Sequence, residues 1–210
     1  MTLLEHVTDE QLLARAAGGS FEDFEVLVGR LQGRVFGLAR RMTGNHADAE
    51  DVTQQTFLSL IEHITSFRGD ASVATWVQRI ATNHALKLLR KKRGLTTVPW
   101  SETHDEDSYA TLPHPDYIAQ WNESPESLAE RAEIRERVEL ALQALDDKYR
   151  LVFVLRDIEG ISIKETAEIL GLSEANVKVR LLRARLMLRE HLTQAFGDEA
   201  TRVSHVHPES

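Results

Sequence analysis

Cysteine is absent from this 210-residue chain, which excludes disulfides, thiolate metal sites and cysteine-based redox sensing. The opening stretch, MTLLEHVTDEQLL, lacks the basic region of a signal peptide and carries Glu5, Asp9 and Glu10 instead. Long apolar runs are missing too: stretches such as LVFVL at 151–155 are far too short to span a bilayer. No segment alternates apolar and polar residues in a sustained way, and no internal repeat or low-complexity tract is present. Neither a phosphate-cradling glycine loop nor a nucleophile–base arrangement can be found. The expectation is a soluble, cytoplasmic protein without direct membrane insertion and without a cofactor.

Proline is scarce and unevenly spread, with Pro99, Pro113, Pro115 and Pro125 supplying four of the five. Lysine and arginine are missing altogether from Trp100 to Ser124, a stretch holding two of three tryptophans and two of three tyrosines. Charge is therefore distributed in blocks. The net value of −8 divides into −2 for residues 1–20, +3 for 21–95, −7 for 96–126, 0 for 127–196 and −2 for 197–210. Most of the acidic excess sits in one connecting segment, so the total does not argue against a local basic face that binds phosphate.

Those blocks coincide with the periodicity. Phe24, Leu27, Val28, Leu31, Val35 and Leu38 recur at helical spacing, and Gly44-Asn45 ends that run. A second helix begins near His46–Asp51, whose acidic residues suit the positive end of the helix dipole, and continues through Val52, Phe57, Leu58, Ile61 and Ile64. Phe67-Arg68-Gly69-Asp70 predicts a turn, with Asp70 or Ser72 capping the helix that follows. Helical spacing resumes at Leu128 and runs to Phe196, with Gly160 and Gly171 at helix ends. The fold class expected is all-α: an N-terminal segment (1–20), a helical domain (21–95), an extended acidic linker (96–126), a second helical domain (127–196) and a flexible tail (197–210).

The second domain carries the most specific signal, SIKETAEILGLSEANVKVRLLRARLMLRE. Ser162-x-x-Glu165 is a capping box, Gly171-Leu172-Ser173 a three-residue turn, and Ser173 the cap of the next helix. A short helix, a glycine-containing turn and a helix rich in cations describe a helix-turn-helix. Val177, Leu181, Ala184 and Leu188 recur at core spacing, leaving Lys178, Arg180, Arg183, Arg185 and Arg189 for the surface. Such a helix can lie in the major groove while its other side packs. A solvated face pairing with Glu174 or Glu190 is the plainer alternative.

In the first domain Trp76, Val77, Ile80 and Ala81 form a core stripe. Thr75, Arg79, Thr82, Asn83, Lys87 and Arg90 lie along another face, which ends in Arg90-Lys91-Lys92-Arg93. Amide, hydroxyl and cationic groups in a row suit backbone positioning and readout of exposed bases. Basic helix ends also favour the helix dipole, so this row alone does not decide. The cluster Asp48, Glu50, Asp51 beside His46 lacks the converging oxygens of a hard-cation site, and the nine histidines are scattered. No metal ligand set is expected.

Taken together, ADAEDVTQQTFLSLI, FRGDASVATWVQRIATNHALKLLRKKR and LDDKYRLVFVLRDIEGISIKETAEILGLSEANVKVRLLRARLMLRE resemble a bacterial RNA polymerase sigma factor of the extracytoplasmic-function (ECF) group. The resemblance implies that Asp48, Glu50, Asp51, Gln54, Gln55 and Phe57 dock on the clamp helices of core RNA polymerase. Gln55 stands where the family often has Glu. It implies that Arg68, Asp70, Ser72, Trp76, Arg79, Asn83, Lys87 and Arg90 open the minus-ten element of promoter DNA and pocket a flipped base. It also implies that Ser173, Asn176, Lys178, Val179, Arg180, Leu182, Arg183 and Arg185 read the minus-thirty-five element. Val179 and Leu182 depart from the polar and aromatic residues often found there, and Val179 suits a thymine methyl. An anti-sigma factor is a further partner the resemblance implies. The rival readings are a stand-alone helix-turn-helix regulator acting without polymerase and a helical metal-dependent hydrolase using Asp48 and Asp51.

For the acidic linker, the resemblance favours a path through the polymerase's cationic RNA channel, with carboxylates standing in for RNA phosphates. Screening of the basic faces in the free chain is compatible with this, and a solvated spacer is the plain alternative. Replacing Asp105, Glu106 and Asp107 by Asn or Gln separates these. Channel occupation predicts altered initiation or promoter escape, and screening predicts stronger DNA binding without polymerase. A spacer leaves both assays unchanged.

Overall fold

The computed structural model describes residues 7–92, Gly94, 117–118, 128–196 and 203–204. The chain divides into two units, Met1–Thr97 and Val98–Ser210. Most of the acidic linker and of the tail lies outside the described residues, as does Arg93. Within the second unit Tyr117–Ile118 pairs antiparallel with Val203–Ser204, a two-residue ladder. All other described regular structure is helical, in keeping with the expected all-α class.

The first unit is built from α1 (Asp9–Ala17), α2 (Phe21–Thr43), α3 (His46–Glu62) and α4 (Val73–Lys92). Each start is fixed by a side chain that accepts one of the free N–H groups of the first turn. Thr8 Oγ1 accepts from Gln11 N at 3.2 Å, and Gln11 returns the favour to Thr8 N, completing a capping box. Ser20 caps α2, Asn45 Oδ1 accepts from Asp48 N at 3.1 Å, and Ser72 Oγ accepts from Thr75 N at 3.2 Å. Ser72, not Asp70, is thus the cap of α4. Gly44 ends α2 at φ 69°, a left-handed conformation that costs a residue with a Cβ about 1–2 kcal/mol.

Burial places α1 inside this unit. Leu12 and Leu13 are sealed, and Arg30 of α2 donates to Val7 O at 2.7 Å and Asp9 Oδ1 at 3.0 Å. Periodicity from Phe21 onward had left residues 1–20 unassigned, although Thr8-x-x-Gln11 carried a helix-start signal. The structure sets the phase of α3. Ala49, Val52, Thr56 and Leu60 form its inner stripe, while Leu58 and Ile61 stand out at 54% and 47% exposed. Thr56 enters the core because its hydroxyl donates to Val52 O at 2.7 Å and so needs no other partner.

The second unit holds α5 (Leu128–Ala144), α6 (Asp147–Phe153), a π-helical turn (Val154–Ile158), α7 (Ile163–Leu170) and α8 (Glu174–Phe196). Ala141, Leu142 and Leu145 pack with Ala184 and Leu188, and Val138, Tyr149, Phe153, Met187 and Leu192 border them. Arg150 is buried beneath the α5–α6 corner, donating to Leu145 O at 3.3 Å and Gln143 O at 3.4 Å and pairing with Asp147. It fastens the carbonyl end of α5 to the first turn of α6. The capping box Ser162–Glu165 starts α7, and Gly171 ends it at φ 69°. Ser173 Oγ then accepts from Asn176 N at 3.2 Å, so the helix-turn-helix has the geometry its sequence called for.

Two substitutions test these ends in urea denaturation of the full chain. Thr8→Ala lowers the stability of the first unit by about 1 kcal/mol. Gly171→Ala lowers that of the second by about 1–2 kcal/mol, through the left-handed backbone it must adopt.

Candidate nucleic-acid and polymerase interfaces

α8 must bury one side to be held and present the other to any ligand. Val177 and Ala184 are fully enclosed and Leu181 and Leu188 nearly so, as the 4-3-4 spacing predicts. Arg180 lies three residues past Val177 and four before Ala184, which on a helix places it within the buried arc. It is 2% exposed, and its Nε donates to Asn176 Oδ1 at 3.1 Å. Arg183, at 9%, directs Nη1 toward Tyr149 Oη at 3.4 Å. The expectation that Arg180 and Arg183 lie on the outer surface is corrected: both are inside the unit in this structure.

The outer row of α8 is Ala175, Lys178, Leu182, Arg185 and Arg189, all exposed, with Val179 half-buried at its edge. Leu182, 40% exposed, interrupts the cations with an apolar side chain. Arg185 forms a two-pronged bond with Asp157 of the π-helical turn, Nε to Oδ2 and Nη2 to Oδ1, both at 2.7 Å. That bond holds the Arg185 pKa above its ordinary value, so the group stays charged. Asn176 is half-buried and Ser173 is exposed, its hydroxyl engaged as the helix cap.

In the first unit α4 has its own outer row. Arg79, Asn83 and Lys87 are exposed at four-residue spacing, with Arg90 half-buried one turn on. Thr82, expected on this face, is fully buried. At the other end of α4 the exposed Arg68, Asp70 and Ser72 border Trp76, whose ring lies 5.2 Å from that of Phe67. An exposed loop beside an aromatic pair and a polar-cationic row can hold an unstacked base and track a backbone.

α3 presents Glu50, Asp51, Gln54, Gln55, Leu58 and Ile61 to the outside and keeps Phe57 half-buried. Asp48, expected on the contact face, is enclosed and accepts from Lys92 Nζ at 2.6 Å. Its carboxylate ties α3 to the last residue of α4 instead of facing outward. Sequence reasoning named Leu58 and Ile61 only as part of the helix and did not recognise them as an exposed pair; the series Val52, Thr56, Leu60 carries the phase that reveals it. A groove of about 510 Å³ runs between α3 and α4, lined by Asp51, Gln55, His84, Lys87 and Lys91 among others. Burial, and then the neighbouring Lys87 charge, hold His84 below the ordinary histidine pKa, and its Nε2 bonds Ser59 Oγ at 2.9 Å. Side chains expected to meet polymerase (Asp51, Gln55) and one expected to meet DNA (Lys87) thus line the same groove.

Among the described residues no three histidine or acidic side chains converge as a metal site, and no helix is long and apolar enough to cross a membrane.

Residues 27–94 match the family Sigma-70 region 2, and residues 135–188 match Sigma-70, region 4. The RNA polymerase sigma-H factor of Pseudomonas aeruginosa is 33% identical over 87% of this chain and 93% of its own length. The ECF RNA polymerase sigma-E factor of Escherichia coli is 30% identical over 86% and 92%. Among solved structures, CnrH in complex with the cytosolic domain of CnrY is 29% identical, with a TM-score of 0.52, covering 89% of this chain and 97% of that one. The sigma factor RpoE in complex with the anti-sigma factor NepR from Bartonella quintana shares the fold, with a TM-score of 0.53 at 21% identity, over 82% of this chain and 98% of that one. With both regions matched in order along one chain, and relatives aligned over most of their length, this protein belongs to the ECF group of RNA polymerase sigma factors.

Proposed function

We propose that the chain directs promoter-specific initiation by docking on core RNA polymerase through α3 and dividing promoter reading between α4 and α8. Glu50, Asp51, Gln54 and Gln55 supply the polar part of the docking face. Leu58 and Ile61 supply an apolar centre of the kind that anchors interfaces. Asp48 serves that face indirectly, by holding the end of α4 through Lys92.

For the minus-ten element, the Arg68–Ser72 loop and the Phe67–Trp76 pair form the wall against which a displaced base rests. Arg79, Asn83 and Lys87 follow the strand. Extracting a base requires a few kcal/mol, which stacking of roughly 1–3 kcal/mol and the basic row together offset. For the minus-thirty-five element, Lys178 and Arg185 meet the duplex. Val179 and Leu182 bring apolar surface that favours thymine methyl groups over hydrogen-bonding partners.

The chain contributes no catalytic step; polymerisation belongs to the polymerase, and the protein acts in the cytoplasm. An anti-sigma partner is part of the proposal, supported by solved relatives captured with CnrY and NepR. The observation that carries the reading is the joint presence of both sigma regions, each with an exposed cationic row. With no large cationic excess in either unit, the free chain binds DNA weakly and with steep salt dependence. A stand-alone regulator would instead bind duplex tightly on its own.

Mixing the chain with core RNA polymerase is expected to give initiation at specific sites across genomic templates. Absence of both co-elution and initiation would sink the proposal. Within that assay, Asp51→Asn weakens polymerase binding with the melting temperature unchanged. Asp48→Asn lowers the melting temperature, by about 1 kcal/mol or less of stability; equal effects of the two on docking alone would mean that Asp48 meets polymerase directly.

A further inference from the structure

The exposed side of α8 is less cationic than its sequence suggests, because Arg180 and Arg183 are turned inward. Of the outward cations, Arg185 differs from Lys178 in being held by a residue outside the helix. Asp157 takes the Nε edge of its guanidinium in two bonds of 2.7 Å. A planar guanidinium gripped along one edge has a fixed plane and direction, with Nη1 and the second N–H of Nη2 left on the other edges.

Asp157 itself stands on a rigid support. The π-helical turn that carries it is closed by Glu159 N donating to Val154 O at 2.9 Å, and Val154 and Leu155 are buried. On the next residue, Arg156 bonds Ile161 O across the Gly160 turn, where φ is 69°. The Asp157–Arg185 pair is half-exposed, and pairs of that kind add little to stability. Its orienting effect is the larger one.

Position along the helix gives the orientation a use. Arg185 lies seven residues beyond Lys178 on the same row, about 10 Å along the axis. With Lys178 inside a major groove about 12 Å wide, Arg185 reaches the rim, where the backbone phosphates lie. Phosphate contacts fix the register of a recognition helix without reading bases themselves.

We infer that Asp157 is a positioning residue for minus-thirty-five recognition: it aims Arg185 at a rim phosphate and so sets the register in which Lys178, Val179 and Leu182 meet the bases. The inference rests on the proposed reading of α8 as the minus-thirty-five reader. Asp157 also offsets the Arg185 charge, so the contact gains from orientation and little from net attraction. Removing the carboxylate therefore favours indiscriminate binding while it loosens the specific complex.

The test uses the full chain on core RNA polymerase, with promoter duplexes that the wild-type holoenzyme selects from a randomised library. The readout is the ratio of affinities for the selected duplex and for one scrambled in the minus-thirty-five element. Asp157→Asn is expected to reduce that ratio about two- to tenfold, the ordering entropy of one long side chain, with scrambled-duplex binding unchanged or tighter. Asp157→Glu restores part of it, and Asp157→Asn adds nothing in an Arg185→Ala background. A raised ratio in Asp157→Asn would mean that the carboxylate withholds Arg185, and would overturn the inference. So would an unchanged ratio with a lowered melting temperature, the mark of a purely structural tie. If the wild-type holoenzyme selects no promoter at all, the sigma reading fails and this inference with it; selection by wild type with an indifferent Asp157→Asn sinks the inference alone.

Discussion

Rotation of α8 about its own axis is set by the row it buries. Val177, Leu181, Ala184 and Leu188 lock the helix onto its unit, with Ala184 and Leu188 seated on Ala141 and Leu142 of α5 and on Leu145 just past its end. Once that rotation is fixed, helical geometry leaves no freedom over which cations meet a ligand. Lys178, Arg185 and Arg189 face outward, whereas Arg180 and Arg183 fall in the arc that packs. The apolar row thereby decides the electrostatics of the opposite face. A change in core volume that turned the helix by one residue would alter which arginines are exposed, with no substitution on the outer row itself.

The inward arginines are a second consequence of that packing. Enclosing a guanidinium is costly, and acceptors for its donors offset that cost. Arg150 meets the carbonyls of Gln143 and Leu145 and the carboxylate of Asp147, Arg180 meets Asn176, and Arg183 faces Tyr149. The helices of the second unit lie within residues 128–196, a stretch with little apolar surface to bury. Long side chains of this kind fill space with their methylenes while fastening helix ends with their heads. Part of the second unit's basic character is consumed as scaffold, and the exposed row of α8 is correspondingly sparse in cations.

Local chemistry was legible in the sequence. Gly44, Asn45, Ser162, Glu165, Gly171 and Ser173 stop or start helices through bonds made within a few residues, so their roles survive without tertiary information. The all-α class and the helix-turn-helix followed from these signals and the core row of α8. Features that depend on how helices face one another were not legible. Leu58 and Ile61 mark the course of a helix but not its inner side: Thr56 is inside and they are outside, because a hydroxyl that bonds its own helix competes with leucine for burial. Asp48 reads as a surface acid until Lys92, forty-four residues away, is brought beside it. Arg180 and Arg183 read as DNA contacts for the same reason: charge alone does not tell which side of a helix a residue is on. Helix α1 was missed for a different cause, since nine residues with two leucines give too little periodicity to register.

Four of the connections between helices are very short, Gly18 to Ser20, Gly44 to Asn45, Leu145 to Asp146 and Gly171 to Ser173, while that between α3 and α4 runs from His63 to Ser72. In the first unit the consecutive pairs α1–α2, α2–α3 and α3–α4 are among the most extensively packed, and helical units of this kind fold in microseconds to milliseconds. Synthesis of residues 98–210 requires roughly 5–25 s at ordinary translation rates. The first unit, with α3 and α4 already tied by Asp48 and Lys92, is therefore complete well before the helix-turn-helix leaves the ribosome. For some seconds each new molecule can offer its α3 face to a partner while it has no second unit with which to reach a promoter.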